Sequence, residues 1–412
     1  MFKKVPGTKD ILPQETSSWQ TAEAIARKIF SFYNYQEIRT PLIEEAALFN
    51  RTLGSTTEIV QKQMFLIHNQ QDTYALRPEG TASIVRSYLE NSLEKTQGFT
   101  KLYYMGPMFR LERPQKGRLR QFHHIGAEAI GSAEASLDIE IISLADQLLK
   151  NFGISGYRIK INSLGCPKDK QTLSETLNKS FQDKITQFCP DCQQRAKNNV
   201  LRILDCKNEA CQKIVETLNL KQAHLCPECQ EHFETVTHGL NNLEIPFQLD
   251  PKLVRGLDYY NRTVFEIKHS DLGSQDAIGA GGRYNNLVQE LGGPDLGAIG
   301  FAFGAERLFL VSNTLNQNPP KKLAYLITLG KAAKSAGIKI LNQLRVCGIP
   351  VDMDYLNRSL KGAMRAANDT GATYVLILGD DELKNNTISV KNMDTGTQKE
   401  VAIQNLTEEL KC

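Results

Sequence analysis

The most chemically distinctive stretch of this sequence is a cluster of positive charge. Five cations lie within eleven residues and are opposed only by Glu112; they are Arg110, Arg113, Lys116, Arg118 and Arg120. Arginine suits an anionic ligand because its planar guanidinium binds phosphate oxygens at two points and stays charged. Apolar residues lead into Arg110 and out through Phe122, as expected for two strands joined by a basic loop. A solvated surface loop is the structural alternative.

A glycine-dense run, GAIGFAFGAER, occupies residues 297–307. Gly300 and Gly304 are four residues apart, a spacing that places both on one face of a helix and permits close packing or close approach of a ligand. Glu306 and Arg307 follow directly. The run is therefore compatible with a close-packed structural helix or with a ligand site.

Three more segments carry polar groups that suit a small ligand. RGLDYYN at 255–261 sets two tyrosines beside an arginine, and GGRYNNL follows at 281–287. A guanidinium can bind a carboxylate, and a phenol can bond a heteroatom. LRPEGT at 76–81 adds a carboxylate and a hydroxyl after a proline-fixed turn, which suits an amino group. The alternatives are a strand with a glycine turn, and a plain helix start with Glu79 in its first turn.

The elements that must position these segments follow from hydrophobic periodicity. The predicted helices are 19–33, begun by a capping box of Ser17 and Gln20, and 141–152, ended by Gly153; the predicted strands are 102–108 and 157–161. Strands without regular crossover helices predict an α+β fold in which helices flank an antiparallel sheet.

Composition changes along the chain predict its division into parts. Residues 1–165 and 239–315 are predicted to share one sheet, interrupted by a polar, helix-rich insertion at 166–238. A proline-containing linker at 313–322 precedes a small α/β domain at 323–412, where short apolar strands alternate with helical patterns.

The insertion also contains most of the nine cysteines. Two CxxC pairs, Cys189 with Cys192 and Cys226 with Cys229, have a spacing that suits tetrahedral zinc, and two more cysteines lie between them, Cys206 and Cys211. An odd total and the lack of a secretion signal argue against a disulfide framework. Packed or free thiols without metal are the alternative to zinc.

Composition and charge bound the remaining classes. At 412 residues the chain is too long for a single hydrophobic core, so two or three domains are expected. A formal net charge of +3 is too small to indicate a nucleic-acid partner by itself. No apolar run approaches the roughly 20 residues that span a bilayer, and residues 1–10 lack the apolar core of a signal peptide. We therefore predict a cytoplasmic protein with no membrane partner.

Taken together, these segments resemble class II aminoacyl-tRNA synthetases, and RGLDYYN with GGRYNNL is similar to the bacterial histidyl-tRNA synthetase family. The resemblance covers nearly the whole chain, from KVPGTKDILP at 4–13 to the C-terminal α/β domain. It includes Thr40-Pro41, which is similar to the family's dimer-forming first motif. It implies a class II catalytic domain, a helical insertion and a C-terminal anticodon-binding domain. The implied activity is histidine–tRNA ligation by a homodimer: L-histidine is activated with ATP and Mg²⁺, then transferred to the 3' end of tRNA(His).

The resemblance also implies how ATP and the tRNA end are bound. Arg110 would contact the α-phosphate and Arg307 the γ-phosphate, with the adenine stacked between Phe122 and Arg307. The other implied ATP-binding residues are Glu112, Arg113 and Arg118. Gln115 and Lys116 would meet the acceptor end of the tRNA.

For histidine, the resemblance implies a binding set of seven residues. Glu79 and Thr81 would hold the ammonium, and Glu128 and Tyr260 would contact the ring nitrogens. Tyr284 would line the pocket, Arg255 would contact the carboxylate and the α-phosphate, and His124 completes the set. Arg255 and Arg110 would be catalytic, since fixed cations stabilise charge on the phosphoryl oxygens and no protein nucleophile is required. At His124 the family usually has glutamine, and a histidine replaces some but not all of the contacts of that amide.

Two other functions compete with ligation. One is a catalytically silent, histidine-sensing regulatory subunit of ATP phosphoribosyltransferase, and the other is an enzyme that adenylates a free small molecule. The presence of Arg110, Arg255 and Arg307 argues against the first. A C-terminal domain argues against the second; there Arg358, Lys361 and Arg365 are predicted on one helical face that could follow a phosphate backbone or simply be solvated.

Overall fold

The structure of the protein is a computed structural model, which describes residues 2–218, 223–273, 275–315 and 322–411. The chain divides into two compact units, Met1–Gln317 and Asn318–Cys412. Most of the predicted linker at 313–322 lies outside the described residues. Among the residues that are described, no helix combines the length and the apolarity that a membrane crossing requires.

The first unit contains helices and strands in mixed order. Its helices are α1 Pro13–Phe32, α2 Ala46–Leu53, α3 Thr81–Glu90, α4 Leu93–Thr96, α5 Ala135–Asn151, α6 Pro167–Phe181, α7 Pro190–Asn198, α8 Glu209–Glu216, α9 Pro227–Asn242, α10 Leu287–Glu290 and α11 Ala305–Val311. Its strands are β1 Gln36–Glu37, β2 Ile43–Glu45, β3 Phe65–His68, β4 Thr73–Leu76, β5 Thr100–Phe109, β6 Gln121–Ile130, β7 Arg158–Ser163, β8 Phe247–Leu249, β9 Asn261–Lys268, β10 Ala277–Arg283 and β11 Ala298–Gly304. Shorter helical turns are a π-helix at Ile59–Gln63 and 3₁₀ turns at Gln182–Gln187, Val200–Ile203 and Ser270–Leu272.

An eight-stranded sheet organises this unit, in the order β1-β5-β6-β11-β10-β9-β7-β8. Its pairs are antiparallel except at the two edges, where β1 pairs with β5 and β7 pairs with β8 in parallel. A parallel pair needs a long crossover, and helices α6 to α9 of the insertion supply it between β7 and β8. A second, three-stranded sheet has the order β2-β4-β3. The predicted α+β class with an antiparallel sheet and a helical insertion is confirmed.

The two faces of the large sheet have separate cores. Strand β9 illustrates this, because Val264 packs in one apolar cluster with Tyr88 of α3, while the next residue, Phe265, packs in another with Leu144 of α5 and Val236 of α9. Alternate residues of a strand point to opposite faces. Helices therefore cover one face of the sheet, and the other face is partly left for a cavity.

Local predictions in this unit were mostly confirmed. Helices α1 and α5 form as predicted, and Gly153 ends α5 in the left-handed region with φ of +67°. The capping box at Ser17 was wrong: α1 begins at Pro13, whose fixed φ suits the first helical position. The helical face of glycines was also wrong, because Gly300 and Gly304 lie in strand β11. There Ile299, Phe301 and Phe303 are buried at a spacing of two, and this apolar alternation outweighs the glycine spacing.

The second unit is a small α/β domain. Its strands are β12 Ala324–Thr328, β13 Val351–Met353, β14 Tyr374–Leu378, β15 Thr387–Asn392 and β16 Gln398–Ala402, and its helices are α12 Lys331–Val346, α13 Leu360–Asp369, α14 Asp380–Asn385 and α15 Leu406–Lys411, with a 3₁₀ turn at Ile403–Asn405. The sheet order is β13-β12-β14-β15-β16. The predicted basic helical face is corrected at one position: Arg358 precedes α13, and its Nη1 lies 2.7 Å from Asp354 Oδ1.

Candidate active site

A cavity of about 210 Å³ opens beside strands β5, β6, β10 and β11. Side chains from three separated segments line it: Arg110 follows β5, Arg255 precedes β9, and Arg307 lies in α11. The other predicted residues in its wall are Glu79, Thr81, Glu112, Arg118, Phe122, His124 and Tyr260. Most of the site residues predicted from the sequence therefore line one cavity.

The arginines at one end of the cavity are held by backbone carbonyls. Arg110 Nε donates to Pro78 O at 2.9 Å, and its guanidinium carbon lies 5.4 Å from the centre of the Phe122 ring. Arg307 Nε donates to Gly117 O at 3.1 Å. Burial lowers the pKa of both arginines, yet a guanidinium stays protonated in proteins. This end of the cavity is a fixed positive environment, suited to a polyanion.

Arg255 is oriented by an acidic residue to which the sequence assigned no role. Its Nη1 lies 2.9 Å from Glu266 Oε1, and Lys268 Nζ lies 3.2 Å from Glu266 Oε2. Arg255 Nε is buried without a hydrogen-bond partner in the described part of the chain. Glu266 lies five residues beyond the RGLDYYN segment, and only the pairing within the fold reveals what it does.

Glu128 forms the polar floor beside this cavity, on the strand pair β6–β11. Thr81 Oγ1 donates to Glu128 Oε1 at 2.7 Å, and Tyr284 OH donates to Glu128 Oε2 at 2.6 Å. Burial raises the pKa of Glu128 to about 8, against the lowering effect of those two hydrogen bonds. Glu128 and Tyr284 are both buried and do not line the cavity, but Thr81, which donates to Glu128, does line it.

Glu79 supports the start of α3. Its carboxylate accepts the backbone N–H of Thr81 at 2.7 Å and that of Ala82 at 2.9 Å. LRPEGT therefore does lead into a helix, as one of the two interpretations predicted, and Glu79 also lines the cavity. Burial raises the pKa of its carboxyl. A residue that caps a helix can still offer its remaining lone pairs to a bound ammonium.

His124 occupies the inner wall as a neutral imidazole. Burial, followed by the charges of Arg110 and Arg77, lowers the pKa of His124 to about 3. Its Nδ1 has no hydrogen-bond partner among the described residues. A neutral imidazole offers one donor and one acceptor, fewer than the amide that is usual at this position.

Besides Glu128 and Tyr284, three predicted residues do not line the cavity. Arg113, Gln115 and Lys116 are exposed on the loop between β5 and β6. The tip of this loop is a tight turn in which Gln115 and Arg118 exchange backbone hydrogen bonds of 3.0 Å. Their exposure suits contact with a large partner more than contact with a ligand enclosed in the cavity.

The sequence missed several residues of the site. Tyr104, Tyr259 and Glu306 line the cavity. Arg77 is buried beneath it and donates to Thr40 Oγ1 at 2.9 Å and to Pro107 O at 3.0 Å. Tyr259 and Glu306 lie inside motifs that the sequence analysis identified, so the predicted roles of their neighbours could have indicated that they line the site. Tyr104 had no such signal, since it lies within an ordinary apolar strand.

Gly300 makes room for Glu128, because the two face each other across β6 and β11. A Cβ at Gly300 would overlap the Glu128 carboxylate and lie 2.6 Å from Ala127 O. We expect Gly300→Ala to lower the free energy of unfolding by roughly 2–4 kcal/mol, since Glu128 would lose its buried hydrogen bonds. Urea unfolding measures this.

The matched control is Gly304→Ala on the same strand. Its Cβ would meet Arg307 Cδ at 3.6 Å, an ordinary contact, so we expect a change below about 1 kcal/mol. Equal stability of the two variants would mean that Glu128 moves aside without cost.

The predicted zinc set of Cys189, Cys192, Cys226 and Cys229 does not form one site. The structure groups Cys189 and Cys192 with Cys206 and Cys211, and it groups Cys226 and Cys229 with Cys166 and Asp169. The reason is connectivity: each CxxC pair begins a different helix, α7 or α9, and these helices start at different places in the insertion.

Comparisons with known proteins place these observations in a family. The family model described as Histidyl-tRNA synthetase matches residues 7–308, and the one described as Anticodon binding domain matches residues 324–412. The chain is 46% identical over 415 residues to the histidine–tRNA ligase of Halothermothrix orenii, covering 100% of this chain and 99% of that one. It is 45% identical over 401 residues to the histidine–tRNA ligase of Moorella thermoacetica, covering 96% and 95%.

Solved structures agree with these relatives. The crystal structure of apo Staphylococcus aureus histidyl-tRNA synthetase matches with a TM-score of 0.83 and 36% identity, over 100% of both chains. A Bacillus halodurans structure described as an ATP phosphoribosyltransferase regulatory subunit/histidyl-tRNA synthetase matches with a TM-score of 0.67 at 21% identity, over 92% of this chain and 98% of that one. At that identity the second match indicates a shared fold alone.

Proposed function

This chain belongs to the histidyl-tRNA synthetase family and is a histidine–tRNA ligase, and we propose that the arginine-lined cavity is where it joins histidine to ATP. The observation that carries this proposal is the convergence of Arg110, Arg255 and Arg307 on one cavity, next to the buried Glu128. The regulatory-subunit alternative is not favoured, since full-length relatives at 40–46% identity are ligases.

The proposed division of the chain follows its sequence and its topology. The catalytic domain comprises 1–165 and 239–315, the insertion is 166–238, and the anticodon-binding domain is 323–412. Strands β7 and β8 lie on either side of the insertion and pair with each other. This pairing supports treating the two flanking parts as one domain.

In our proposal ATP lies along the positive end of the cavity. Arg110 binds the α-phosphate, Arg307 binds the γ-phosphate, and the adenine stacks between Phe122 and Arg307. Arg113 and Arg118 assist at the β- and γ-phosphates. ATP enters with Mg²⁺ as part of the substrate, and the lining carboxylates Glu112 and Glu306 supply the oxygen ligands that Mg²⁺ prefers.

Histidine lies in the inner part of the cavity. Glu79 and Thr81 hold its ammonium, while Glu128 and Tyr260 address its two ring nitrogens and Tyr284 orients Glu128. An imidazole with one donor and one acceptor nitrogen is best recognised by a carboxyl group on one side and a phenol on the other. His124, neutral and with Nδ1 unpaired, offers one further hydrogen bond to the amino-acid end of the ligand.

The chemistry needs positioning and charge stabilisation. A histidine carboxylate oxygen attacks the α-phosphorus, the bond from the α-phosphorus to the bridging oxygen breaks, and pyrophosphate leaves with its electron pair. Negative charge grows on the α-phosphoryl oxygens and on the leaving group. In this proposal Arg255 contacts both the histidine carboxylate and the α-phosphate, and Arg110 contacts the α-phosphate. Both therefore stabilise that charge without forming a covalent intermediate.

The second step transfers histidine to the tRNA. We propose that Gln115 and Lys116 contact the acceptor end, because they are exposed on a basic loop next to the cavity. The 3'-terminal ribose hydroxyl attacks the histidyl carbonyl carbon, and the bond from that carbon to the phosphate oxygen breaks. AMP leaves with that oxygen, and the hydroxyl proton passes to a phosphate oxygen of the leaving AMP. The anticodon-binding domain binds tRNA(His), with Lys361 and Arg365 as exposed cations on α13. Because its tRNA substrate serves protein synthesis, we place the enzyme in the cytoplasm.

We further propose that the enzyme is a homodimer. The small sheet β2-β4-β3 follows the Thr40-Pro41 motif. On one of its faces Ile43 of β2 and Ile67 of β3 are 50% and 41% exposed. Neighbouring exposed apolar residues are typical of a protein interface. Light scattering of the purified protein should give about twice the chain mass of 46.2 kDa, and a monomer at micromolar concentration would contradict it.

One assay tests the proposed function and its rivals. We expect histidine-dependent exchange of pyrophosphate into ATP, followed by charging of tRNA(His). Lack of exchange would indicate a histidine sensor, and exchange without charging would indicate an enzyme that adenylates a free small molecule.

The raised pKa of Glu128 predicts how histidine binding depends on pH. The carboxyl–imidazole pair shares one proton. Free imidazole has a pKa of about 6.5 and Glu128 one of about 8, so between these values the free partners together already hold one proton. Below pH ~6.5 binding must release a proton, and above about 8 it must take one up. We therefore expect constant affinity between these limits and a roughly tenfold decrease per pH unit outside them.

Calorimetry between pH 5.5 and 8.8 measures this profile, with Glu128→Gln as the control. An amide does not titrate, so the alkaline decrease should vanish in that variant. Glu79, whose pKa burial also raises, contributes only to the acidic decrease, in both proteins. An alkaline decrease that persists in Glu128→Gln would assign it to another group.

A further inference from the structure

Two compact groups of metal-binding side chains lie in the insertion, outside the cavity. We propose that each binds one zinc ion. The first, called site A, consists of Cys189, Cys192, Cys206 and Cys211; the second, called site B, consists of Cys166, Asp169, Cys226 and Cys229. Within each group all four possible ligand atoms lie within 4.8 Å of one another.

Site A has the dimensions of a tetrahedral thiolate site. Cys189 Sγ and Cys206 Sγ are 3.9 Å apart, and a tetrahedron with Zn–S bonds of about 2.3 Å has edges of about 3.8 Å. A disulfide would need a separation of about 2.05 Å, so these sulfurs are placed for a shared ion and not for a bond. Three of the four cysteines are buried. Thiols form only weak hydrogen bonds with one another, so such bonds do not explain why four of them lie so close together. A divalent ion does explain it, because all four sulfurs can bind to it as thiolates.

Backbone donors already point at the site A sulfurs. The N–H of Cys189 donates to Cys211 Sγ at 3.3 Å, and the N–H of Asn208 donates to Cys206 Sγ at 3.4 Å. Such bonds to the ligands stabilise thiolates and fix their orientation around a metal. They are the outer contacts that a structural zinc site requires.

Site B uses an aspartate in place of the fourth cysteine. Asp169 is buried, and its two oxygens accept the backbone N–H of Cys166 at 3.2 Å and that of Cys226 at 3.1 Å. These two bonds turn the carboxylate toward the sulfurs and leave it lone pairs for an ion. Zinc accepts carboxylate oxygen at about 2.0–2.2 Å alongside sulfur, so this mixed set suits it.

A repeated sequence pattern builds both sites. Helices α6, α7 and α9 each begin with Cys-Pro-x-Asp or Cys-Pro-x-Cys, in which the first cysteine is the N-cap and the last residue is the third helical position. Proline suits the first helical position, and the N-cap and third residues face each other across the first turn. The positive end of the helix also favours thiolate at both positions. The first turns of α6 and α9 together form site B, and the first turn of α7 forms site A with Cys206 and Cys211.

The two ions would hold the insertion against the active site. Site B ties the start of α6 to the start of α9, the helices through which the chain leaves β7 and returns to β8. Lys170, one residue beyond Asp169, donates to the backbone oxygens of Asp258 and Tyr260 at 3.1 and 2.9 Å. Arg202 lies in the sequence between Cys192 and Cys206 of site A, and its Nη2 is 2.8 Å from Asp258 Oδ1. Both sites therefore brace the loop that carries Arg255 and Tyr260, and neither takes part in the chemistry.

Metal analysis of the untagged full-length protein tests the proposal. We expect two zinc ions per chain, with X-ray absorption showing a sulfur-rich first shell at about 2.3 Å. Zinc content near zero after purification with added zinc would overturn the proposal, and so would iron in its place. A value of one ion per chain would overturn one of the two sites, namely the site whose substitution, described below, leaves the zinc content unchanged.

Variants assign the ions to the two sites. Cys206→Ser should remove the ion of site A and Asp169→Ala that of site B, each leaving one ion, while Cys347→Ser, an exposed cysteine of the second unit, should leave two. Should a variant fail to fold, cobalt substitution of the unaltered protein decides the matter. Thiolate-to-cobalt absorption bands at two equivalents per chain support the proposal, and their absence overturns it. Chelation should also lower the melting temperature, and zinc but not Mg²⁺ should restore it.

Discussion

Arg255→Ala is expected to slow histidyl-adenylate formation by at least about 100-fold, because it removes a fixed cation from the site where phosphoryl charge develops. The loss should appear mainly in kcat of pyrophosphate exchange, since the charge grows in the transition state and not in the bound substrates. Binding of ATP, which also uses Arg110 and Arg307, should change much less. Steady-state exchange with histidine and ATP varied in turn separates the two effects.

The fold should survive this substitution, because Glu266 keeps a partner. Lys268 Nζ lies 3.2 Å from Glu266 Oε2, so the carboxylate is not left as an unpaired buried charge. The matched control is Arg158→Ala, which removes an exposed arginine from β7 of the same sheet and should leave exchange unchanged. Near-normal exchange by Arg255→Ala, with an unchanged melting temperature, would remove Arg255 from the mechanism.

Glu128→Ala is expected to lower kcat/KM for histidine by at least about 100-fold, mostly through KM. The substitution removes the group proposed to pair with a ring nitrogen, and it leaves Thr81 Oγ1 and Tyr284 OH without the acceptor they share. A site built around buried hydrogen bonds discriminates strongly when one partner is missing. KM for ATP should change little, because the proposed ATP contacts are made by other residues, namely Arg110, Phe122 and Arg307.

Two variants frame this result. Glu134→Ala, an exposed carboxylate a few residues beyond β6, controls for loss of negative charge in the same segment. Glu128→Gln keeps the hydrogen-bonding shape at neutral pH, so its loss should be smaller than that of the alanine variant. A histidine KM in Glu128→Ala within about threefold of the unaltered protein would contradict imidazole recognition by this residue.

The neutral state of His124 bears on how both variants are interpreted. With a pKa near 3, His124 carries no charge at any pH at which the enzyme would be assayed. It therefore adds neither to the cationic field of Arg110 and Arg255 nor to a pH profile. The titration expected near pH 8 is that of Glu128, whose pKa is raised to about that value.

The local elements, the order of the motifs and the family could be predicted from the sequence. Helices α1 and α5, strands β5 and β7, and the basic loop between β5 and β6 all followed from periodicity and turn residues. These features depend on which side of each segment is apolar, and that information is contained within a few neighbouring residues. The similarity of RGLDYYN and GGRYNNL to one family carried the rest, including the predicted convergence of Arg110, Arg255 and Arg307.

Which distant side chains meet depends on the packing of the whole chain. Thr81 and Tyr284 reach Glu128 across 47 and 156 residues of sequence. Thr81 begins α3 and Tyr284 follows β10, so the placement of that helix and the order of the strands bring both of them to Glu128 of β6. In the same way Gly300 is explained by Glu128 opposite it and not by its spacing from Gly304. The cysteine pairs likewise separate into sites A and B because the helices they begin start at two different points of the insertion. Register and helix placement arise from packing of the whole chain, so no local pattern specifies them.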